Sequence, residues 1–148
     1  MHYLLVRVRF NMKYLLLFFL LFPAQCFALD SNKLVTEIDI ERWQIGVPLV
    51  FVDERLSHVA YLKAKDMVFQ NYWAHNNNGN TWSFLQASGY RYLFAGEIIV
   101  RYATTEKQAV SLWLDSPSHK AVLVNPFFNK IGVGTYGDIT VVVMVYTN

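Results

Sequence analysis

Residues 130–148, KIGVGTYGDITVVVMVYTN, are the stretch that decides the fold. Two runs rich in β-branched residues flank the pair Gly137-Asp138. A glycine-containing pair between two such runs is typical of a tight turn that joins antiparallel strands. The sequence therefore predicts that the chain ends in a β-hairpin.

Two helical patterns open the part of the chain that precedes this hairpin. Residues 32–43 predict a first helix that ends at Ile45-Gly46-Val47-Pro48. Residues 53–71 predict a second helix, and Asp53 can cap its start. Along this second helix, apolar residues recur at helical spacing and the cations are expected mostly on other faces: the apolar set is Leu56, Ala60, Ala64, Met67 and Val68, and the cations are Arg55, Lys63 and Lys65.

The middle of the chain is predicted to be a loop, a short helix and a strand. NYWAHNNNGN, residues 71–80, is turn-rich and places His75 on a loop rather than in a core. Residues 81–88 predict a short helix that Gly89 ends, and residues 97–102 predict a strand.

Two more helical patterns follow that strand. Thr104 or Thr105 caps the segment EKQAVSLWLD, and Val110, Trp113 and Leu114 are expected to face inward. Pro117 then opens a turn that continues as a helix to Val124. Helices come first and the main strand pair comes last, which favours an α+β fold over repeated βαβ units.

The N-terminal 28 residues have the layout of a secretory signal peptide. Arg7, Arg9 and Lys13 precede the apolar run 14–22, and small residues stand at the positions that a signal peptidase reads. We expect cleavage after Ala28, which makes residues 29–148 a single domain, with Met12 as an alternative start of translation. An uncleaved membrane anchor is the alternative, although the run is shorter than the roughly 20 residues of a typical span.

Composition excludes several function classes for the mature chain. The only cysteine, Cys26, would leave with the signal peptide, so no disulfide and no thiolate nucleophile or ligand is expected. From Leu29 onward, ten Lys and Arg stand against eleven Asp and Glu. This balance and the lack of a basic block make nucleic acid an unexpected partner.

Four short pieces of sequence then occur in order: RLSHVAYLKAKDM at 55–67, YWAH at 72–75, AGEII at 95–99 and SPSHKAVLVNPFFNKIGVG at 116–134. Together they resemble the bacterial branch of the CAP superfamily, which comprises cysteine-rich secretory proteins, insect antigen 5 and plant pathogenesis-related proteins. The resemblance runs from about Leu34 to the C-terminus. It implies a three-layer α-β-α sandwich with a mostly antiparallel central sheet and a cleft lined by two histidines and two acids.

Carried over residue by residue, the resemblance assigns His75, Glu97 and His119 to this cleft. It also implies an answer to why a carboxylate interrupts the apolar segment FAGEIIVR at 94–101: the expected partner of Glu97 is an imidazole. Trp73, two residues before His75, is the tryptophan expected to touch a ligand.

The fourth position of the cleft departs from the family pattern. In eukaryotic relatives the second acid follows a tryptophan by three positions, and that count from Trp113 reaches Ser116, so Asp115 is the candidate although it lies one residue short. The asparagine that usually follows the first acid is Ile98 here.

Two kinds of chemistry fit these residues. His75, His119 and Glu97 match the ligand set of a zinc site with an open fourth position, where bound water would have a pKa of about 7. Without a metal, a histidine held by Glu97 would be an acid/base group or a polar floor for a ligand. Ser116 and Ser118 lie outside any nucleophile elbow, and a serine at a helix start is more often a cap.

We therefore expect an exported protein, periplasmic or secreted and monomeric, that acts as a non-enzymatic binding module for a divalent cation or a small apolar or glycan-like ligand. The first alternative is a metal-assisted hydrolase of peptides or esters, with Zn²⁺ or another divalent cation as cofactor. The second is a structural protein that interacts with envelope or host proteins. His58 matches no position of the family site and is expected to be a surface or packing residue.

Overall fold

The computed structural model describes residues 28–76 and 81–148. The expected signal peptide lies outside the described residues except for Ala28. In chain order the elements are α1 (Ser31–Gln44), β1 (Phe51–Val52), α2 (Glu54–Phe69), α3 (Thr81–Ala87), β2 (Phe94–Arg101), α4 (Glu106–Asp115), α5 (Pro117–Leu123), β3 (Lys130–Tyr136) and β4 (Ile139–Tyr146).

The predicted C-terminal hairpin is the centre of the sheet, whose strand order is β1-β3-β4-β2. β3 and β4 are antiparallel, and Tyr136 pairs with Ile139 across the turn. Gly137 has a φ of 59°, a backbone conformation that glycine adopts without steric cost. β2 is antiparallel to β4, whereas β1 is parallel to β3.

Helices cover both faces of this sheet. Apolar residues of α1, α4 and α5 pack with one face, around Trp113, Val142 and Met144. Residues of α2 and α3 pack with the other face, around Val141 and Val143. β4 is buried on both faces from Ile139 to Val145, so the α+β fold with a three-layer α-β-α arrangement is confirmed.

Two glycines set how closely α2 lies on β3. A Cβ atom at Gly132 would lie 2.1 Å from the carbonyl carbon of Leu56, and one at Gly134 would lie 2.0 Å from the amide nitrogen of Tyr61. Because these neighbours are helix backbone, which cannot rotate away, any larger residue would push the helix off the sheet. The GVG sequence of β3 thus allows the short distance between α2 and the sheet. This helix carries part of the candidate site.

A buried arginine ties α1 to the connection between α5 and β3. Arg42 is fully buried, and its guanidinium donates hydrogen bonds to four main-chain carbonyls, those of Pro48, Leu123, Asn125 and Phe128. Burial lowers the pKa of Arg42 from its ordinary value, and the nearby Asp39 carboxylate opposes that effect. The fork of donors satisfies carbonyls that helix ends and loops leave open.

The predicted elements differ from the observed ones mainly at their ends. The strand expected at 97–102 spans Phe94–Arg101, and the helix expected from 117 to 124 spans Pro117–Leu123. β1 was not predicted, because it has only two residues and both are exposed. Within residues 28–76 and 81–148, no helix combines the length and apolarity that crossing a membrane requires.

Candidate functional site

The carboxylate of Glu97 is buried and has two side-chain partners. Its side chain is 2 % exposed, and Oε1 lies 2.7 Å from Nδ1 of His75. The hydroxyl of Thr81, at the first position of α3, donates to Oε2. An imidazole and a hydroxyl therefore offset the cost of burying this carboxylate.

The loop that carries His75 is held in place by hydrogen bonds from Lys63 of α2. Lys63 is fully buried, and its Nζ donates to the main-chain carbonyl of His75 at 3.1 Å and to the Tyr72 hydroxyl at 3.1 Å. The Tyr72 hydroxyl in turn donates to Oδ2 of Asp66 at 2.5 Å. The His75 loop is thus anchored to α2 through main chain and side chains together.

Burial governs the electrostatics of this anchor. It lowers the pKa of Lys63, while the Glu97 and Asp66 carboxylates act in the opposite direction. Burial also raises the pKa of Tyr72, with the hydrogen bond to Asp66 as the second cause. The expectation that the cations of α2 lie mostly on its outer faces is wrong for Lys63, which stands three residues after Ala60 and four before Met67 on the buried face.

The second histidine, His119, lies on α5, which packs on the face of the sheet opposite to α2. It lies in the first turn of α5, and its ring centroid is 5.6 Å from that of His75 at an interplanar angle of 58°. Gly96 allows this approach, since a Cβ there would lie 2.7 Å from Cγ1 of Val122 on α5. The glycine before Glu97 therefore helps to bring the second histidine to the carboxylate.

The surroundings of His119 favour its neutral form. Desolvation by burial lowers its pKa from the ordinary value of 6.5, and the neighbouring His75 contributes in the same direction. The Glu97 carboxylate acts in the opposite direction with a smaller effect. At neutral pH the imidazole is therefore able to accept a hydrogen bond or bind a cation.

The other predicted cleft residues are placed differently. Asp115 is the exposed last residue of α4. Among the described residues no hydrogen bond or ion pair joins it to the His/Glu cluster, which consists of His75, Glu97 and His119. Ser116 follows it as the N-cap residue of α5, makes no side-chain cap bond, and lies 3.3 Å from the Ser118 hydroxyl. Trp73 is 45 % exposed, whereas Trp113 is 1 % exposed and belongs to the core as expected.

Two imidazoles and a carboxylate are suitable metal donors, and the ligand set of His75, His119 and Glu97 stays a prediction. Glu97 is hydrogen-bonded to Nδ1 of His75 and so orients that ring. Within residues 28–76 and 81–148, no cluster of three or more His, Cys, Asp or Glu side chains is arranged to hold a metal ion.

Four residues of this cluster were not predicted from the sequence: Lys63, Asp66, Tyr72 and Thr81. Lys63 carried a usable signal, because Leu56, Ala60, Lys63 and Met67 follow one another at intervals of four, three and four residues. A lysine within an otherwise apolar stripe indicates a buried cation that needs partners. Tyr72 and Thr81 carried no comparable signal, because their roles depend on how the loop folds back.

The model of the cysteine-rich secretory protein family, CAP, matches residues 36–146. The chain belongs to the CAP family. The resemblance inferred from the four short motifs is thereby confirmed.

Relatives of this CAP chain include proteins of Gram-positive bacteria. The chain is 34 % identical over 106 residues to the uncharacterized protein YkwD of Bacillus subtilis, a match that covers 70 % of this chain and 41 % of YkwD. An extracellular SCP-domain protein from Bacillus anthracis is 27 % identical with a TM-score of 0.76, and the match covers 79 % of this chain and 40 % of that one. The chain therefore spans about two fifths of the length of these two relatives.

The CAP fold extends to a spirochaete protein as well. An outer surface protein of Borrelia burgdorferi is 24 % identical with a TM-score of 0.72, and the match covers 79 % of this chain and 92 % of that one. At this identity the likeness concerns the fold alone.

Proposed function

We propose that this CAP domain is an exported binding module whose His75/His119 pair takes up a divalent cation such as Zn²⁺. The observation that carries the proposal is the hydrogen bond of 2.7 Å between Nδ1 of His75 and Glu97, which makes Nε2 the ring nitrogen that can face a ligand. The ring of His119 lies 5.6 Å away, centroid to centroid.

The chemistry of both imidazoles supports this proposal. A histidine that binds a metal through one nitrogen commonly has the other nitrogen held by a carboxylate, which fixes the ring and raises its basicity. Metal binding also requires neutral imidazole, and the pKa of His119 is lowered by burial. Two protein ligands leave coordination positions open, where oxygen atoms of a small ligand or water would bind.

A calorimetric titration with ZnCl₂ at neutral pH tests this function. Wild-type protein is compared with His75→Ala and His119→Ala, each checked for folding by circular dichroism, and His58→Ala is the control because His58 is exposed beside Tyr61. We expect one Zn²⁺ per chain in the wild type and the control, and loss of binding in both site variants. Folded wild-type protein that takes up no Zn²⁺, or variants that bind it unchanged, would overturn the proposal.

A structural role is the second candidate, and the bond from Lys63 to the His75 carbonyl favours it. In that case the His/Glu cluster ties the loop after α2 to the sheet, and the surface serves contacts with envelope proteins. His75→Ala would then lower the free energy of unfolding without changing Zn²⁺ binding. The hydrolase alternative is less well supported, since a zinc hydrolase needs a carboxylate near the metal-bound water and Glu97 is already paired with His75.

Export is part of the proposal. It is supported by the basic, apolar and small-residue pattern of residues 1–28 and by the extracellular description of the Bacillus anthracis relative. N-terminal sequencing of the product from the cell envelope or medium checks it. We expect the mature chain to begin at Leu29, and a product that retains residues 1–28 would contradict cleavage.

A further inference from the structure

Two adjoining grooves lie around the segment between α3 and β2. The first, called here the basic groove, has a volume of about 530 Å³ and is lined by Asp53, Arg55, Gly89, Tyr90, Arg91 and Lys130. The second, called the aromatic groove, has a volume of about 560 Å³ and is lined by Trp82, Ser83, Gln86, Tyr92 and the shared residues Gly89 and Tyr90. Each volume lies in the range of small-molecule sites.

Two cations of the basic groove are positioned by aromatic rings. The guanidinium carbon of Arg55 lies 4.6 Å from the centroid of the Tyr90 ring, and Nζ of Lys130 lies 5.2 Å from that of Phe51. Arg91, the third cation, is exposed. Cations that are held in place before a ligand arrives lose less entropy on binding, which favours recognition of an anion.

Among the described residues, Asp53 is the only acid that lines the basic groove, and its carboxylate has internal partners. Oδ1 of Asp53 accepts hydrogen bonds from the amides of Arg55 and Leu56 as the N-cap of α2, and Oδ2 accepts the hydroxyl of Tyr90 at 2.9 Å. Nε of Arg55 lies 3.9 Å from Oδ1 of the same carboxylate, so three cations against one acid leave the groove with a net positive charge. That is notable in a mature chain with one more acidic than basic residue.

The aromatic groove continues this surface with a different chemistry. Trp82 is half-buried and Tyr92 is 36 % exposed, and Tyr90 lines both grooves. Gly89, which lines both grooves, has a φ of 66°, and no atom of the described residues lies within 4 Å of the position that a Cβ would take. Flat rings beside amide and hydroxyl groups suit the C–H faces and hydroxyls of sugar rings.

We propose that the basic and aromatic grooves together bind an acidic saccharide chain, its sugar rings on Trp82 and Tyr92 and its carboxylate or phosphate groups at Arg55, Arg91 and Lys130. The site is separate from the His75/Glu97 cluster in its lining residues and goes beyond the proposed cation binding. A nucleic acid would use similar groups, but the slightly acidic mature chain disfavours a long polyanion. An acidic sugar needs only the local charge of the groove.

The test is an NMR titration with tetragalacturonate, using mature protein that a bacterial host exports from the full-length gene. We expect the amide signals of residues 82–92 to shift, with Arg91→Glu weakening binding at least about tenfold. Lys107→Glu, which makes the same charge change at an exposed site on α4, is expected to stay within about twofold.

Three outcomes would overturn the inference. The first is no shift at about 10 mM tetragalacturonate, which corresponds to negligible affinity. The second is equal weakening in Arg91→Glu and Lys107→Glu, or equal binding of the methyl-esterified tetrasaccharide, because either would show that the groove does not recognise the acid groups. The third is tighter binding of a short oligothymidylate to the same residues. Retained affinity in Tyr92→Ala, with its fold intact, would contradict the stacking part of the inference.

Discussion

Nζ of Lys63 lies 3.1 Å from the main-chain carbonyl oxygen of His75. A fully buried cation on α2 therefore holds the backbone of the loop whose side chain contacts Glu97. The position of one candidate ligand is set by a residue that would not itself touch the cation. Several measurable consequences come from this relationship and from the close packing around it.

Replacing Lys63 should loosen the His75 loop more than it harms the fold. Lys63→Met keeps most of the length of the side chain but removes the bonds to the His75 carbonyl and the Tyr72 hydroxyl. We expect a loss of about 1–3 kcal/mol in the free energy of unfolding, and faster hydrogen exchange at residues 72–76. Lys65→Met is the control, because its Nζ lies over the Phe69 ring, 5.7 Å from the ring centroid. Equal exchange in both variants would contradict the anchoring role.

The buried hydroxyl of Thr81 should be coupled to Glu97. Thr81→Val removes the donor to Oε2 with little change in shape and is expected to cost about 1–3 kcal/mol of unfolding free energy. In a double-mutant cycle with Glu97→Gln, measured by urea denaturation, we expect a coupling energy of about 0.5–3 kcal/mol. Additive effects would mean that the hydroxyl does not stabilise the carboxylate.

The two glycines of β3 should tolerate no side chain. Gly132→Ala and Gly134→Ala would each place a methyl group about 2 Å from helix backbone, and each is expected to cost at least about 3 kcal/mol. Gly46→Ala is the matched comparison: its φ is 75° with nothing within 4 Å, so only the backbone strain of about 1–2 kcal/mol applies. Thermal unfolding of the three variants checks this order, and equal losses would contradict the close packing of α2 on the sheet.

Protonation of His119 should lower stability in mildly acidic solution. Burial and His75 lower its pKa in the folded state, so below the ordinary value of 6.5 the unfolded chain takes up a proton more readily than the folded chain. The free energy of unfolding should therefore fall as the pH drops from 6.5 toward the lower pKa of His119 in the folded state, and rise as the pH increases over the same range. His119→Gln should lack this component in denaturation series from about pH 7.5 to about pH 5.5. A difference between the two proteins that is constant with pH would contradict it.

How far the sequence predicts this molecule differs between the fold and the site. The hairpin and the main helices follow from local patterns, because Gly137-Asp138 and the stripe from Leu56 to Met67 act over short stretches. The contact between His75 and Glu97 was expected only through the family resemblance. The spacing of 22 residues between them says nothing about how a loop folds back over a strand.

The remaining features escaped prediction for related reasons. Lys63 and Arg42 are cations in the interior, and an apolar pattern counts them as surface residues until their partners are known. Most of those partners are main-chain carbonyls, which every residue has and which therefore give no signal in the sequence. Counting three positions from Trp113 reaches Ser116, so Asp115 stays a candidate for the cleft, and it is the exposed last residue of α4.

In the proposed site a divalent cation binds between Nε2 of His75 and the His119 imidazole, while Nδ1 of His75 stays hydrogen-bonded to Glu97. The most direct measurement is a long-range ¹H–¹⁵N NMR spectrum of the histidine side chains during a Zn²⁺ titration. We expect His75 to keep a protonated Nδ1 and to show a metal shift at Nε2. We expect the His119 signals to shift with the same stoichiometry and the His58 signals not to change. Ring signals of His75 and His119 that remain unchanged at saturating Zn²⁺ would contradict it.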